Sequence, residues 1–81
     1  MKVLIRLFAR ARDLVGRDGI DLEMPPKATV GELRVRLADA FPALRTILDR
    51  CAVAVQNEFA SDAVELTPDA EVAILPPVSG G

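Results

Sequence analysis

Apolar and polar residues alternate along Lys2–Phe8. Val3, Ile5 and Leu7 fall on one side of an extended chain, and Lys2, Leu4, Arg6 and Phe8 on the other. A period of two predicts a strand with one buried face. Arg10–Val15 predicts a short helical turn, closed by Gly16 and the Gly16-Arg17-Asp18-Gly19 turn cluster. Ile20–Met24 then predicts a second strand, with Ile20, Leu22 and Met24 on one face and Pro25-Pro26 ending it. The pattern next changes period. Val30, Leu33, Leu37, Ala40 and Phe41 recur at spacings of three and four, the apolar stripe of an amphipathic helix, with Arg34, Arg36 and Asp39 away from its centre. Thr29-Val30-Gly31-Glu32 opens this helix as a capping box, and Pro42 stops it near Phe41.

The second half of the chain is less regular. Leu44, Ile47 and Leu48 predict a weaker helical turn over Ala43–Asp49. Ala52–Gln56 predicts a strand, Asn57-Glu58 a turn, Ala63–Leu66 a short edge strand and Thr67-Pro68-Asp69 another turn. Glu71–Leu75 is the last predicted strand, with Val72 and Ile74 on one face and Ala73 and Leu75 on the other. The order β, β, α, β, (β), β calls for one main helix covering one face of a mixed sheet, an α+β layout.

The chain has 81 residues, the size of one domain. Its 51% hydrophobic residues suffice for one core. A single cysteine, Cys51, cannot form an internal disulfide, which suits a reducing cytosol. There is no histidine, so an imidazole base, a Ser-His pair and a Cys/His metal cluster are all excluded. Nothing approaches the roughly 20 apolar residues of a bilayer span. The expectation is a cytoplasmic protein with no membrane partner. The net charge of −2 hides an asymmetry: all ten basic residues precede Cys51, whereas the remainder carries Glu58, Asp62, Glu65, Asp69 and Glu71 with no base. A solvated surface accounts for it, as does an acidic face steered towards a basic partner. Three phenylalanines in an acidic chain do not make the basic, stacking footprint of a nucleic-acid binder.

The chemistry gathers at the end of the chain. Pro76 and Pro77 lack backbone donors, so the last strand ends at about Leu75 and the chain leaves the sheet stiffly. Residues 1–75 form the domain and residues 76–81 an extended tail. Its six residues reach about 20 Å, far enough to enter another protein's active site. Gly80 and Gly81 carry no side chain and fit a narrow channel. A terminal carboxylate on Gly81 is ionised at neutral pH and can attack the α-phosphorus of a nucleotide held by a partner. With no G-x-x-x-x-G-K-[ST] motif, this chain offers no P-loop of its own. Two terminal glycines arise by chance in about one chain in 200. They gain weight only beside the strand order and the Pro-Pro exit.

Taken together, Ile74-Leu75-Pro76-Pro77-Val78-Ser79-Gly80-Gly81, the preceding Asp69–Ala73, the Leu7-Phe8-Ala9 segment with Arg12–Gly16, and the Thr29–Leu33 helix start resemble the small-subunit family of molybdopterin synthase. The likeness spans nearly the whole chain and is most specific in Pro-Pro-Val-Ser-Gly-Gly. It implies a ubiquitin-like β-grasp fold and a non-catalytic, sulfur-donating subunit of a sulfurtransferase complex. By that resemblance, an E1-like adenylyltransferase using ATP and magnesium activates the Gly81 carboxylate, and a sulfur donor protein converts it to a thiocarboxylate. The tail then delivers sulfur to cyclic pyranopterin monophosphate inside the large subunit, within a heterotetramer. No cofactor is expected on this chain itself, and no metal.

The resemblance also implies that the sheet face carrying Phe8, Leu4, Ala73 and Leu75 meets the partners, with Pro76, Pro77, Val78 and Ser79 leading into them. The competing reading packs Phe8 under the Arg10–Val15 turn. Cys51 could carry a persulfide, but it stands before an apolar strand and is read as a core residue. Glu58, Asp62 and Glu65 are read as solvated, and the arginines at 34, 36, 45 and 50 as exposed. Three other functions fit the same end: a carrier for thiazole synthesis or another pathway, a ubiquitin-like protein modifier, and an interaction module with an inert tail.

Overall fold

The structure, a computed structural model, describes residues 1–77. Val78, Ser79, Gly80 and Gly81 lie outside the described residues. The strands are β1 (Lys2–Leu7), β2 (Gly19–Glu23), β3 (Ala52–Val55), β4 (Glu58–Phe59) and β5 (Glu71–Leu75). The helices are α1 (Ala9–Val15) and α2 (Val30–Ala40), followed by 3-10 turns at Pro42–Thr46 and Leu48–Arg50. The strands form one mixed sheet in the order β2-β1-β5-β3-β4. β1 and β5 run parallel at its centre, and the other pairings are antiparallel. With α2 and the 3-10 turns on one face, this is the β-grasp arrangement.

Alternation sorts the sheet into two faces. Val3, Ile5 and Leu7 of β1, Ile20 of β2, Val53 of β3 and Val72 and Ile74 of β5 are buried, and they meet Val30, Leu33 and Leu37 of α2. Leu44, Ile47 and Leu48 close the same core from the 3-10 turns. On α2 the stripe is narrower than its sequence suggests: Ala40 is exposed and Ala38 takes the partly buried position. Arg34 is not a free surface residue either. Its side chain is only 20% exposed and ties α2 to its surroundings, donating to Asp62 Oδ1 at 2.8 Å and to the Leu48 carbonyl.

The start of α2 shows how a loop replaces a strand. Thr29 caps the helix, its Oγ1 accepting from the Glu32 N–H at 3.3 Å, while its hydroxyl lies 3.5 Å from the Glu32 carboxylate. Two more first-turn donors, normally orphaned, go to another segment: the Val30 N–H to the Val64 carbonyl at 2.9 Å and the Gly31 N–H to that of Asp62 at 3.0 Å. The Leu66 N–H donates to the Ala28 carbonyl at 2.7 Å. So Ala63–Leu66 is not the edge strand its pattern predicts; apart from an isolated bridge between Glu65 and Thr29, it clamps the helix start. Gly31 permits this approach, because a Cβ there would stand 3.3 Å from the Asp62 Cβ.

The other revision lies between β3 and β4. The turn residues are Gln56 and Asn57, both left-handed, with φ of 51° and 67°. That is the conformation a two-residue hairpin of the I′ type requires. The hairpin turns one residue earlier than expected, and Glu58-Phe59 becomes a strand paired with Val55 and Ala54.

Truncating Leu37 to alanine is expected to cost about 2–5 kcal/mol in urea unfolding, because the site is fully buried. Thr29→Ala is expected to cost about 1 kcal/mol through the lost cap.

Candidate functional site

The sheet face turned away from α2 is where the expected partner residues fall. Directly paired residues share a face, so the register sets their neighbours. Ala73 lies between Arg6 of β1 and Ala54 of β3, and Leu75 stands opposite Ala52. Phe59 stands opposite Ala54 on the far side of β3. Phe8, one residue past β1, is the N-cap of α1 and is 43% exposed. It does not pack beneath that helix.

Phe8, Ala52, Phe59, Leu75, Pro76 and Pro77 together line a groove of about 490 Å³ at the point where the chain leaves the sheet. Phe59 is 79% exposed. Exposed apolar groups gathered in this way are the kind of patch on which protein contacts form. Ala9, also on the groove, holds φ of 50°, a left-handed conformation costly for a residue with a Cβ, and such strain concentrates at functional sites. The charged residue lining the groove is Arg50, whose Nη2 also donates to the Thr46 carbonyl at 2.9 Å.

Of the residues anticipated from sequence, Phe8, Leu75, Pro76 and Pro77 converge here. Ala73 lies on the same face without lining the groove. Leu4 stands apart. It is half-buried beside Asp21 and Glu71, and the Arg6–Glu71 ion pair (3.0 Å) crosses the face between it and Phe8. The final four residues of the tail lie outside the described residues. Ala9, Arg50, Ala52 and Phe59 are the members that sequence reading misses; for Phe59 the available signal was the two-residue turn at Gln56-Asn57, which returns it to the outer face.

The acidic residues of the last third are divided. Asp62 pairs with Arg34 at the start of α2, and Glu71 pairs with Arg6 on the outer sheet face. Among the described residues, no cluster of three or more histidine, cysteine or acidic side chains is placed to hold a metal ion. Cys51 is a free, buried thiol at 4% exposure, within the core. Burial pushes its pKa up; nearby Arg34 opposes the shift without cancelling it. The thiolate needed for persulfide chemistry is therefore disfavoured. No described helix is long and apolar enough to cross a membrane.

A family model described as the ThiS family matches residues 5–81. This chain belongs to the ThiS family. Among its relatives, the molybdopterin synthase sulfur carrier subunit of Arabidopsis thaliana is 33% identical over 100% of this chain and 84% of its own length. The subunit of the same name from Caenorhabditis briggsae is 35% identical, over 100% of this chain and 99% of its own. Among solved structures, SAMP1 of Haloferax volcanii, a small archaeal modifier protein, superposes with a TM-score of 0.89 at 28% identity and full coverage of both chains. The ubiquitin-like β-grasp is thus the fold of this ThiS-family chain.

Inner-face and outer-face positions of the sheet are expected to respond differently to truncation. Ile74→Ala should cost about 2–5 kcal/mol, whereas Phe59→Ala, on the open face, should stay within about 0.5 kcal/mol of the parent in urea melts. Cys51 gives a pH signature. Its raised folded pKa means that the buried thiol's contribution is intact below the unfolded pKa of about 8.5 and is lost as pH rises through the folded value. The stability difference between parent and Cys51→Ala should therefore shrink on moving from neutral to alkaline pH.

Proposed function

We propose that this chain is the sulfur-carrier subunit of a molybdopterin synthase, with the Gly81 carboxylate as its working group. The relatives named for that role support the reading by aligning from end to end rather than over the fold alone. The observation that carries it to a mechanism is the apolar groove of Phe8, Phe59, Leu75, Pro76 and Pro77, set where β5 ends and the tail begins.

The last strand is held on both sides, by β1 and by β3, so its end is fixed in space. Pro76 and Pro77 have no N–H to extend either ladder, and their locked φ directs the chain outward. A partner that packs on Phe8, Phe59 and Leu75 thereby receives the tail at a defined angle. An E1-like adenylyltransferase holding ATP and magnesium would take it first. There a Gly81 carboxylate oxygen attacks the α-phosphorus and pyrophosphate leaves, giving an acyl-adenylate. Sulfide-level sulfur from a donor protein then attacks the acyl carbon and displaces AMP, leaving a thiocarboxylate. The loaded tail enters the large subunit of the synthase, where the soft, nucleophilic thiocarboxylate sulfur attacks cyclic pyranopterin monophosphate. Water then cleaves the acyl–sulfur bond and returns the Gly81 carboxylate, and a second loaded chain supplies the other sulfur of the dithiolene. This chain supplies the carried group and the docking face, and its partners supply nucleotide, metal and catalytic side chains. Such a cycle belongs in the cytoplasm.

The likeness to a small archaeal modifier protein favours one second reading, in which the activated Gly81 is joined to lysines of other proteins. Both readings share the adenylation step and differ in what attacks the acyl group.

Deleting Gly81 is expected to abolish molybdopterin formation in a reconstituted synthase while leaving the melting temperature unchanged. Restored synthesis by the truncated chain would reject the mechanism. Phe8→Ala and Leu75→Asp are each expected to weaken binding to the large subunit by about tenfold or more in calorimetry, as loss of an apolar anchor does. Unchanged affinity would place the docking face elsewhere.

A further inference from the structure

The sheet has a second feature, on its opposite margin, that tail chemistry does not use. β2 is an edge strand, paired on one side with β1. The hydrogen bonds from the Met24 N–H to the Met1 carbonyl (2.8 Å) and from the Leu7 N–H to the Asp18 carbonyl (3.0 Å) fix the phase of that ladder. Residues two apart repeat the same orientation, so Leu22 and Ile20 turn their backbone groups towards β1. Gly19, Asp21 and Glu23 turn theirs away, towards the open edge. The Leu4 N–H, donating to the Ala70 carbonyl on the β5 side of β1, agrees with this phase. The edge thus offers three N–H and C=O sets, spaced about 6.8 Å apart.

Beside this edge, α2 and β2 enclose a groove of about 660 Å³, lined by Leu22, Glu23, Val35, Arg36, Asp39 and Ala40. Val35 is 62% exposed although it is a large apolar residue on the main helix. We propose that the β2 edge and this groove form a docking site for an extended segment of another protein, one that alternates apolar and basic residues. Such a segment adds a strand beside β2. One set of its side chains falls on the α2 side, over Leu22, Val35 and Ala40, where apolar residues fit. The other set falls beside Asp21 and Glu23, both exposed; Glu23 already pairs with the N-terminal ammonium at 3.3 Å, so Asp21 is the carboxylate that favours opposite charge.

The same acidic pair argues against a second copy of this chain as the occupant. Two β2 edges laid together would set carboxylates near carboxylates, the device that keeps exposed edges from self-pairing. The site is also independent of the tail. Leu22 and Glu23 lie beside Val3 and Lys2 at the start of β1, while the tail leaves beyond β5 at the other end, with β1 between β2 and β5. A segment on β2 leaves the Phe8 groove uncovered.

The test titrates the ¹⁵N-labelled full chain with a short blocked peptide of alternating lysine and valine, and with its glutamate–valine counterpart. The expected result is chemical-shift change and slowed hydrogen exchange at the Gly19, Asp21 and Glu23 amides with the lysine peptide alone. Val35→Asp and Asp21→Lys, both at exposed positions, should each weaken binding by about tenfold, and Asp21→Lys should transfer the preference to the glutamate peptide. Equal response to both peptides, no response at β2, or shifts confined to Phe8 and Phe59 would overturn the proposal. So would a concentration-dependent dimer that Val35→Asp dissolves, which would make a second copy the occupant.

Discussion

The structure depends on the chain's last strand lying at the centre of its sheet. β5 is paired with β1 on one side and β3 on the other, and its Val72 and Ile74 are fully buried beneath α2. The β1–β5 pairing joins segments more than sixty residues apart, such as Leu7 and Ile74. The hydrophobic core therefore cannot close until the final strand is in place. This places the cost of a long loop closure on the segment that also carries the tail. The consequence is mechanical: the residues before Pro76 belong to the most deeply held strand, so Pro76 and Pro77 leave the sheet from a rigid base.

A two-residue alternation turns that anchoring into a division of labour. Within β5, Val72 and Ile74 serve stability, while Ala73 and Leu75 face out with Ala52, Phe59 and Phe8 nearby. Substitutions on the inner side act on folding, whereas those on the outer side leave the core untouched. The outer face leaves apolar area open to solvent at the groove, where Phe8, Phe59, Leu75 and the two prolines meet, rather than spreading it over the sheet. Next to it, the Arg6–Glu71 pair crosses the face and separates Leu4 from the cluster. Exposed pairs of this kind contribute little to stability, and this one bounds the apolar patch. At the far margin, β2 keeps an open edge guarded by Asp21 and Glu23. The apolar groove and the open edge thus lie at two ends of one small sheet.

Much of this was legible in the sequence where one physical rule dominated. The alternation of Val3, Ile5 and Leu7, and of Val72 and Ile74, named the buried faces of the central strands, because a buried sheet face leaves no choice of register. Thr29 marked the start of α2, and Pro42 marked its end. Readings failed where tertiary contacts outrank local pattern. Val64 and Leu66 alternate like strand residues, yet their backbone groups satisfy Val30 and Ala28 at the head of α2. Gln56 is not a usual left-handed turn residue, so local pattern puts the turn one position late and hides Phe59. Ala40 looked like a core position because alanine is apolar; its small side chain tolerates either side, and the helix end rotates it outward. The outer groove was half legible: Phe8 and Leu75 could be grouped from strand faces and the prolines from the end of the last strand, but Ala52 and Phe59 required the order of strands in the sheet.

The central claim is that Gly81 is the atom-transfer point of a chain whose body only positions it. Intact-mass spectrometry of the full chain, incubated with the activating enzyme, ATP, magnesium and a sulfur donor, tests this most directly. The expected spectrum gains the mass of one sulfur in place of one oxygen, with fragmentation assigning the exchange to Gly81. An unaltered terminus under conditions that load a known carrier, or sulfur found on Cys51 instead, would contradict it.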